Sequence, residues 1–289
     1  MAGFRTISAA ETAADADGKS NIFGWRKTVA AATTSGVWTD LSMAPGLPLP
    51  NYYAAAPLIA NTLSGGEGIF VGGNVSPSSK FLYNFTVATS SATGTPLSLI
   101  LCDYLLYYPF VDQGTTDAQI MTNTTTLPRY TDGKGVQIMA VLVAPQVGGQ
   151  GFIVSYTNSD GVAGRTTATV VCNTITVNGT LVNTATVGPA AQGRCAGPFL
   201  PLQPGDSGVR SIESVTMLGT DIGLMCLVLV KPLATMRLQE QGAPNEKDFI
   251  REFTQAPCIY DGAYLNLICC PTGSLSGVTL IGTISTMWT

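Results

Sequence analysis

Leu97-Ser98-Leu99-Ile100-Leu101-Cys102-Asp103-Tyr104-Leu105 is the stretch on which the fold turns. It is a short apolar run with β-branched and aromatic members, the character of a strand whose faces are both covered. Runs of the same kind recur at short intervals on either side, separated by Gly, Pro, Asn and Ser. Upstream are Gly68 to Val71 and Phe81 to Val87, and downstream are Val136 to Val143, Gly151 to Tyr156 and Arg165 to Cys172. Ser211 to Met217, Gly223 to Val230, Ala263 to Cys269 and Val278 to Trp288 complete the series. About ten strands at this spacing predict an all-β chain built as an antiparallel β-sandwich, jelly-roll-like, with one sandwich or two.

Two features depart from the strand pattern. Ala243-Pro244-Asn245-Glu246-Lys247-Asp248-Phe249 reads as the start of one short helix running to Phe253, with Asn245 as its cap and acidic residues in its first turn. Residues 1–53 are poorly periodic. Small polar residues are followed by Ile22-Phe23-Gly24-Trp25, Val37-Trp38 and the exit Ala44-Pro45-Gly46-Leu47-Pro48-Leu49-Pro50. Three prolines favour an extended backbone without ladder donors, so 1–53 is expected to be an extended N-terminal arm and 54–289 a β-sandwich body, with a candidate subdivision near 178–205.

Composition excludes a good deal. The 289 residues contain no histidine, which removes Ser-His-Asp and Cys-His nucleophiles and His-ligated metal. Pro204-Gly205-Asp206-Ser207-Gly208 matches the string around a serine-protease nucleophile, but without a base for Ser207 it reads as a turn entering the next strand. Gly65 to Gly68 and Gly148 to Gly151 lead into strands and open no phosphate-holding helix. Asp103, Asp112, Glu213 and Asp261 offer carboxylates with no spacing that pairs them for glycoside hydrolysis. No cofactor, metal or enzymatic activity is expected.

Fourteen basic against 18 acidic residues, a net charge of −4, provide no basic run for nucleic acid. Mean hydropathy is +0.28, yet the longest apolar run, Ile222 to Val230, is about half of what a spanning helix needs, so no membrane partner is expected. Met1 to Arg5 and the polar residues after it have no apolar signal core, which points to folding in a cytoplasm. Seven cysteines without C-x-x-C spacing read as buried thiols. Only 11% of residues are charged, and Thr115 to Thr126 and Thr174 to Thr186 are rich in uncharged Thr and Asn, a composition that favours association.

The aromatic N-terminal segment, its Pro-Gly-Leu-Pro-Leu-Pro exit, the Thr/Asn/Gly-rich strands and the terminal run Val278 to Thr289 together resemble structural proteins of tailed-bacteriophage virions. No long amphipathic helix is present to form the spine of their helix-rich shell proteins. The resemblance implies a capsid decoration or cement protein located in the virion. Its partners would be copies of itself, expected as a trimer, and other virion proteins such as the major capsid protein. Phe4, Phe23, Trp25 and Trp38 would anchor the arm at subunit contacts, with Pro45, Pro48 and Pro50 fixing its path. A glycan-recognising tail adhesin and a tail-tube or connector subunit are the alternatives.

Overall fold

The computed structural model describes residues 4, 6–174, 177–182, 197–252 and 256–289. Nine principal strands carry it: β1 (Ser20–Thr28), β2 (Lys80–Thr89), β3 (Leu97–Asp112), β4 (Gln137–Ala144), β5 (Gly151–Asn158), β6 (Val209–Met217), β7 (Leu224–Leu238), β8 (Leu265–Pro271) and β9 (Thr279–Trp288). They form three sheets. The first runs Asn245–Asp248, β2, β9, β1, Gly46–Leu47; the second runs Arg165–Thr166, β5, β6, Gln119–Ile120; the third runs Thr39–Asp40, β8, β3, β7, β4. Every ladder between these strands is antiparallel. The chain is an all-β sandwich protein.

The third sheet is central because its strands are apolar on both faces. Leu97, Leu99 and Leu101 of β3, with Met236 and Leu238 of β7, pack against Trp25, Phe85 and Ile284 of the first sheet. Farther along the same strands, Leu106, Tyr108 and Val111, with Leu227 and Leu229, pack against Phe152, Val154 and Ile212 of the second sheet. Register shifts between the Leu229/Leu106 and Val230/Tyr104 pairs and again between Pro232/Cys102 and Ala234/Leu101 add residues that keep both sets on one face. The opposite face carries Ile100, Cys102, Tyr104 and Val228 under Tyr53, Leu63 and Leu181. Two cores thus share one long sheet. They are not successive pieces of chain, since β3 and β7 serve both, and the boundary expected near 178–205 falls partly outside the described residues.

Residues 1–53 are not an arm apart from the body. β1 pairs along its full length with β9, from Ser20 opposite Met287 to Thr28 opposite Thr279. Trp25 is buried in the chain's own core, its ring stacked on Phe85 at 5.9 Å. The indole fits because residue 282 has no side chain: a Cβ there would lie 1.9 Å from the Thr86 carbonyl oxygen and 2.8 Å from the Trp25 ring. Gly282→Ala is therefore expected to destabilise the fold by about 1–3 kcal/mol through overpacking, read as a lower urea midpoint at unchanged m-value.

The helix expected over 243–253 is also corrected. Asn245–Asp248 is a strand paired with β2, and the helical turn Phe249–Glu252 starts only after it, with the Asp248 carboxylate accepting from the Ile250 N–H at 2.9 Å. Asn245 instead donates to the Arg237 carbonyl. A helix absent from the sequence reading, Ile7–Glu11, is capped by Thr6, whose hydroxyl accepts from the Ala9 N–H at 3.1 Å. Gly68 to Val71 is not a strand: Ile69 makes a single bridge to Leu265.

Candidate interaction face

The proline segment that leaves β1 is held from inside by a buried cation. Lys27 alternates with Trp25 on the inward face of β1, has no exposed surface, and donates from Nζ to the carbonyls of Pro48 at 2.8 Å, Ala44 at 3.0 Å and Ser42 at 3.4 Å. Beside it, buried Asp40 accepts from the Ser42 hydroxyl and Tyr53 hydroxyl at 2.5 Å each, and from the Tyr104 hydroxyl at 2.7 Å. Its carboxyl is pushed up by burial against those donors. These bonds satisfy groups whose desolvation would otherwise be costly, and they fix residues 40–53 against the third sheet.

Burial lowers the Lys27 ammonium to about 8, against the pull of Asp40. A folded-state value below the ordinary 10.5 means the unfolded chain holds more protons between pH 8 and 10.5, so this lysine's contribution to stability rises with pH across that window. Subtracting a Lys27→Met variant removes the background of tyrosine and cysteine ionisation. The wild-type stability minus that of Lys27→Met is expected to increase from pH 8 to pH 10 in matched denaturant titrations; a flat difference would show that burial does not lower the Lys27 ammonium.

Fixed in this way, the segment forms one wall of a groove of about 640 Å³ whose lining includes Gly24, Leu47, Leu49, Tyr52, Glu67 and Phe70. Four large apolar side chains around it face solvent: Leu47 is 65% exposed, Leu49 71%, Tyr52 58% and Phe70 59%. Phe70 is held upright by Phe23, ring edge to ring face at 4.7 Å. A grouped apolar surface of this sort is characteristic of a covered face, whereas single exposed apolar residues are ordinary.

The structure disperses the residues expected as subunit anchors. Trp25 is buried, Phe4 packs on Phe81 at 5.8 Å, and half-buried Trp38 lies against the cluster around Tyr104. Pro45 is exposed with its carbonyl accepting from the Thr28 N–H at 2.8 Å, Pro48 is buried, and Pro50 lines the groove. Only Phe23, Pro48 and Pro50 contribute to the face. Leu47 and Leu49 lie within the quoted proline segment, whose composition predicts only an extended path; Tyr52 lies just beyond it, and Phe70 belongs to Gly68 to Val71, a run that predicts a strand. The expected turn falls at Pro204 and Gly205, and Ser207 follows it on the way into β6, with its hydroxyl 2.8 Å from that of Ser159. Its neighbour Asp206 accepts from Tyr156 at 2.6 Å, Asn158 at 2.7 Å and Arg165 at 3.0 Å, and the Arg165 hydrogen bond leads in holding it down to about 2.

Among the described residues no cluster of three or more acidic or thiol side chains could hold a metal, and no helix is long and apolar enough to cross a membrane. Cys102, Cys172, Cys226 and Cys269 are buried free thiols, and Cys195 lies outside the described residues.

No family model and no curated protein matches the chain. Two solved structures show a faint likeness. The infectious bursal disease virus VP2 subviral particle is 9% identical, with 93% of this chain and 81% of that one covered, at a TM-score of 0.16. The T=1 particles derived from infectious bursal virus are 12% identical, with 93% and 78% covered, at 0.15. At such scores neither carries an argument about fold or function, and the functional reading rests on the chain's own residues.

Proposed function

We propose that this chain is a structural subunit of a virion, a capsid decoration or cement protein of the tailed-bacteriophage kind, which works through contacts with neighbouring subunits and performs no catalytic step. The observation that carries the reading is the apolar face formed by Leu47, Leu49, Tyr52 and Phe70, held in place by buried Lys27 on a body of low charge. A lattice multiplies a modest contact of this size by geometry, so avidity supplies what one interface lacks. The partners are further copies of the chain and a major capsid protein.

Labelled antibody bound to purified virions tests the placement. Label distributed over the head supports decoration. Label confined to the tail tip would replace it with an adhesin, and rings along the tail would replace it with a tube or connector subunit.

A further inference from the structure

Under its apolar rim the groove holds hydrogen-bond donors that lack acceptors. Gly24 lines it. In β1 the Thr28 N–H points away from β9, donating to the Pro45 carbonyl at 2.8 Å, and by the alternation of an antiparallel strand the Gly24 N–H points to the same side. The ladder there ends with Arg26 opposite Leu47, so among the described residues no strand meets Gly24 on that side. Asn51 spends its Oδ1 on the Tyr53 N–H at 2.9 Å, which leaves its amide Nδ2 as a donor in the lining. At the floor, Tyr264 has no exposed surface, and its hydroxyl completes no hydrogen bond among the described residues. Burial pushes that phenol up to about 12, with the nearby Asn51 and Asn266 amides offsetting part of the rise, so it keeps a proton to donate. Buried donors in this state are costly, and an occupant that brings acceptors removes the cost.

Charge narrows the choice of occupant. Among the described residues lining the groove, Glu67 carries the sole charge; it is exposed and makes no ion pair. The Lys27 ammonium behind the Pro48 wall is answered by Asp40. Tyr52 and Phe70 supply aromatic faces beside the aliphatic Leu47 and Leu49.

A polyproline II segment matches this set. Its backbone makes no internal hydrogen bonds, so its carbonyls are free to accept, and its prolines have no N–H in need of a partner. Its rings pack on aromatic side chains, and its extended form is already ordered before binding. We infer that the groove binds a proline-rich segment of another protein in polyproline II form, with a lysine or arginine beside the prolines paired to Glu67. The run Pro45 to Pro50 of a second copy does not qualify, because the carbonyls of Ala44, Pro45 and Pro48 are already taken by Lys27 and Thr28. The inference rests on the face being a partner contact, as proposed above, and adds what the partner presents.

The experiment is fluorescence anisotropy of labelled Pro-Pro-Leu-Pro-Pro-Arg with the purified full chain, beside Pro-Pro-Leu-Pro-Pro-Glu and Ala-Ala-Leu-Ala-Ala-Arg, at low and at physiological salt. Wild type is expected to bind the first peptide at least about tenfold more tightly than either of the others, and the gap between arginine and glutamate narrows as salt rises. Glu67→Gln is expected to bring the arginine and glutamate peptides within about threefold of each other. Phe70→Ser is expected to weaken the first peptide by about tenfold or more. Both side chains are exposed, so thermal midpoints stay unchanged. No binding of the arginine peptide at about 1 mM chain, equal affinity for the three peptides, or a preference for arginine that survives Glu67→Gln would overturn the inference. So would a wild-type dimer that Phe70→Ser splits, because the groove would then belong to a second copy. Glu67→Gln exchanges an exposed carboxylate for an amide of the same shape and decides the matter if Phe70→Ser misfolds. Peptide binding is read on the purified chain, so its failure leaves the virion placement standing, and absence of antibody label from virions would leave the peptide site standing.

Discussion

Arg129→Met is expected to lower stability by about 3–5 kcal/mol, the cost of leaving a buried charge without its partner. Asp103 has no exposed surface and Arg129 is 5% exposed. The guanidinium grips the carboxylate from two nitrogens, Nη2 to Oδ1 at 2.7 Å and Nε to Oδ2 at 2.9 Å, and also donates to the carbonyls of Tyr104 at 2.8 Å and Leu63 at 3.3 Å. The pair lies where the two cores meet on the shared sheet, between Leu101, which packs in one, and Leu106, which packs in the other. Methionine would leave Asp103 with the single Tyr264 N–H donor at 3.0 Å and would strip two buried carbonyls of theirs. Replacing both members, as Asp103→Leu with Arg129→Met, is expected to recover most of the loss, because no bare charge remains.

The same substitution carries a pH signature. Burial already raises the Asp103 carboxyl to about 6, against the downward pull of Arg129. A carboxyl with a raised folded-state value favours the fold as pH falls through that value towards the unfolded one near 3.8. Without Arg129 the folded-state value moves higher, so the gain on acidification starts at higher pH and is larger. Urea titrations at pH 8 and pH 5 should therefore show a smaller deficit for Arg129→Met at pH 5. Equal deficits would mean that Asp103 is not the group left bare.

The central sheet was legible in the sequence because burial on both faces leaves a nearly continuous apolar run, and Leu97 to Leu105 announces itself locally. β1 was not legible for the opposite reason. Its alternation is masked by Gly24 and by Lys27, a residue type that reads as surface, and its partner Thr279–Trp288 lies at the far end of the chain. Asn245-Glu246-Lys247-Asp248 carries the residue types of a helix start, yet an available edge on β2 outweighs that local preference. The groove was half visible. Leu47 to Pro50 stood out by composition, but its partner Phe70 belongs to a stretch whose single bridge to Leu265 has no sequence signature.

Deleting residues 1–51 is expected to abolish folding, not to release a soluble body lacking an arm. The deletion removes a nine-residue strand from the first sheet, with Trp25, which is 3% exposed, and with the Asp40 carboxylate that satisfies the Tyr53 and Tyr104 hydroxyls. Loss of the Trp25 side chain alone costs about 3–5 kcal/mol by the measure of large-to-small core substitutions, against a total stability of about 5–15 kcal/mol for a typical domain. β9 would become an edge, and Leu280 and Ile284, now buried, would lose the indole side of their cover. Deleting only residues 1–17 takes the short helix Ile7–Glu11, whose sole buried residue is an alanine, and the Phe4 contact; that variant is expected to fold with a modestly lower melting temperature. Far-UV circular dichroism and a cooperative thermal melt separate the two truncations, and a cooperative melt from the longer deletion would show that β1 is dispensable. The physical consequence reaches the functional test: absence of the longer truncation from virions would report an unfolded chain. Polar substitutions at exposed Leu47, Leu49, Tyr52 and Phe70 leave every buried bond of Lys27 and Asp40 in place, so loss of assembly in those variants reports the face itself.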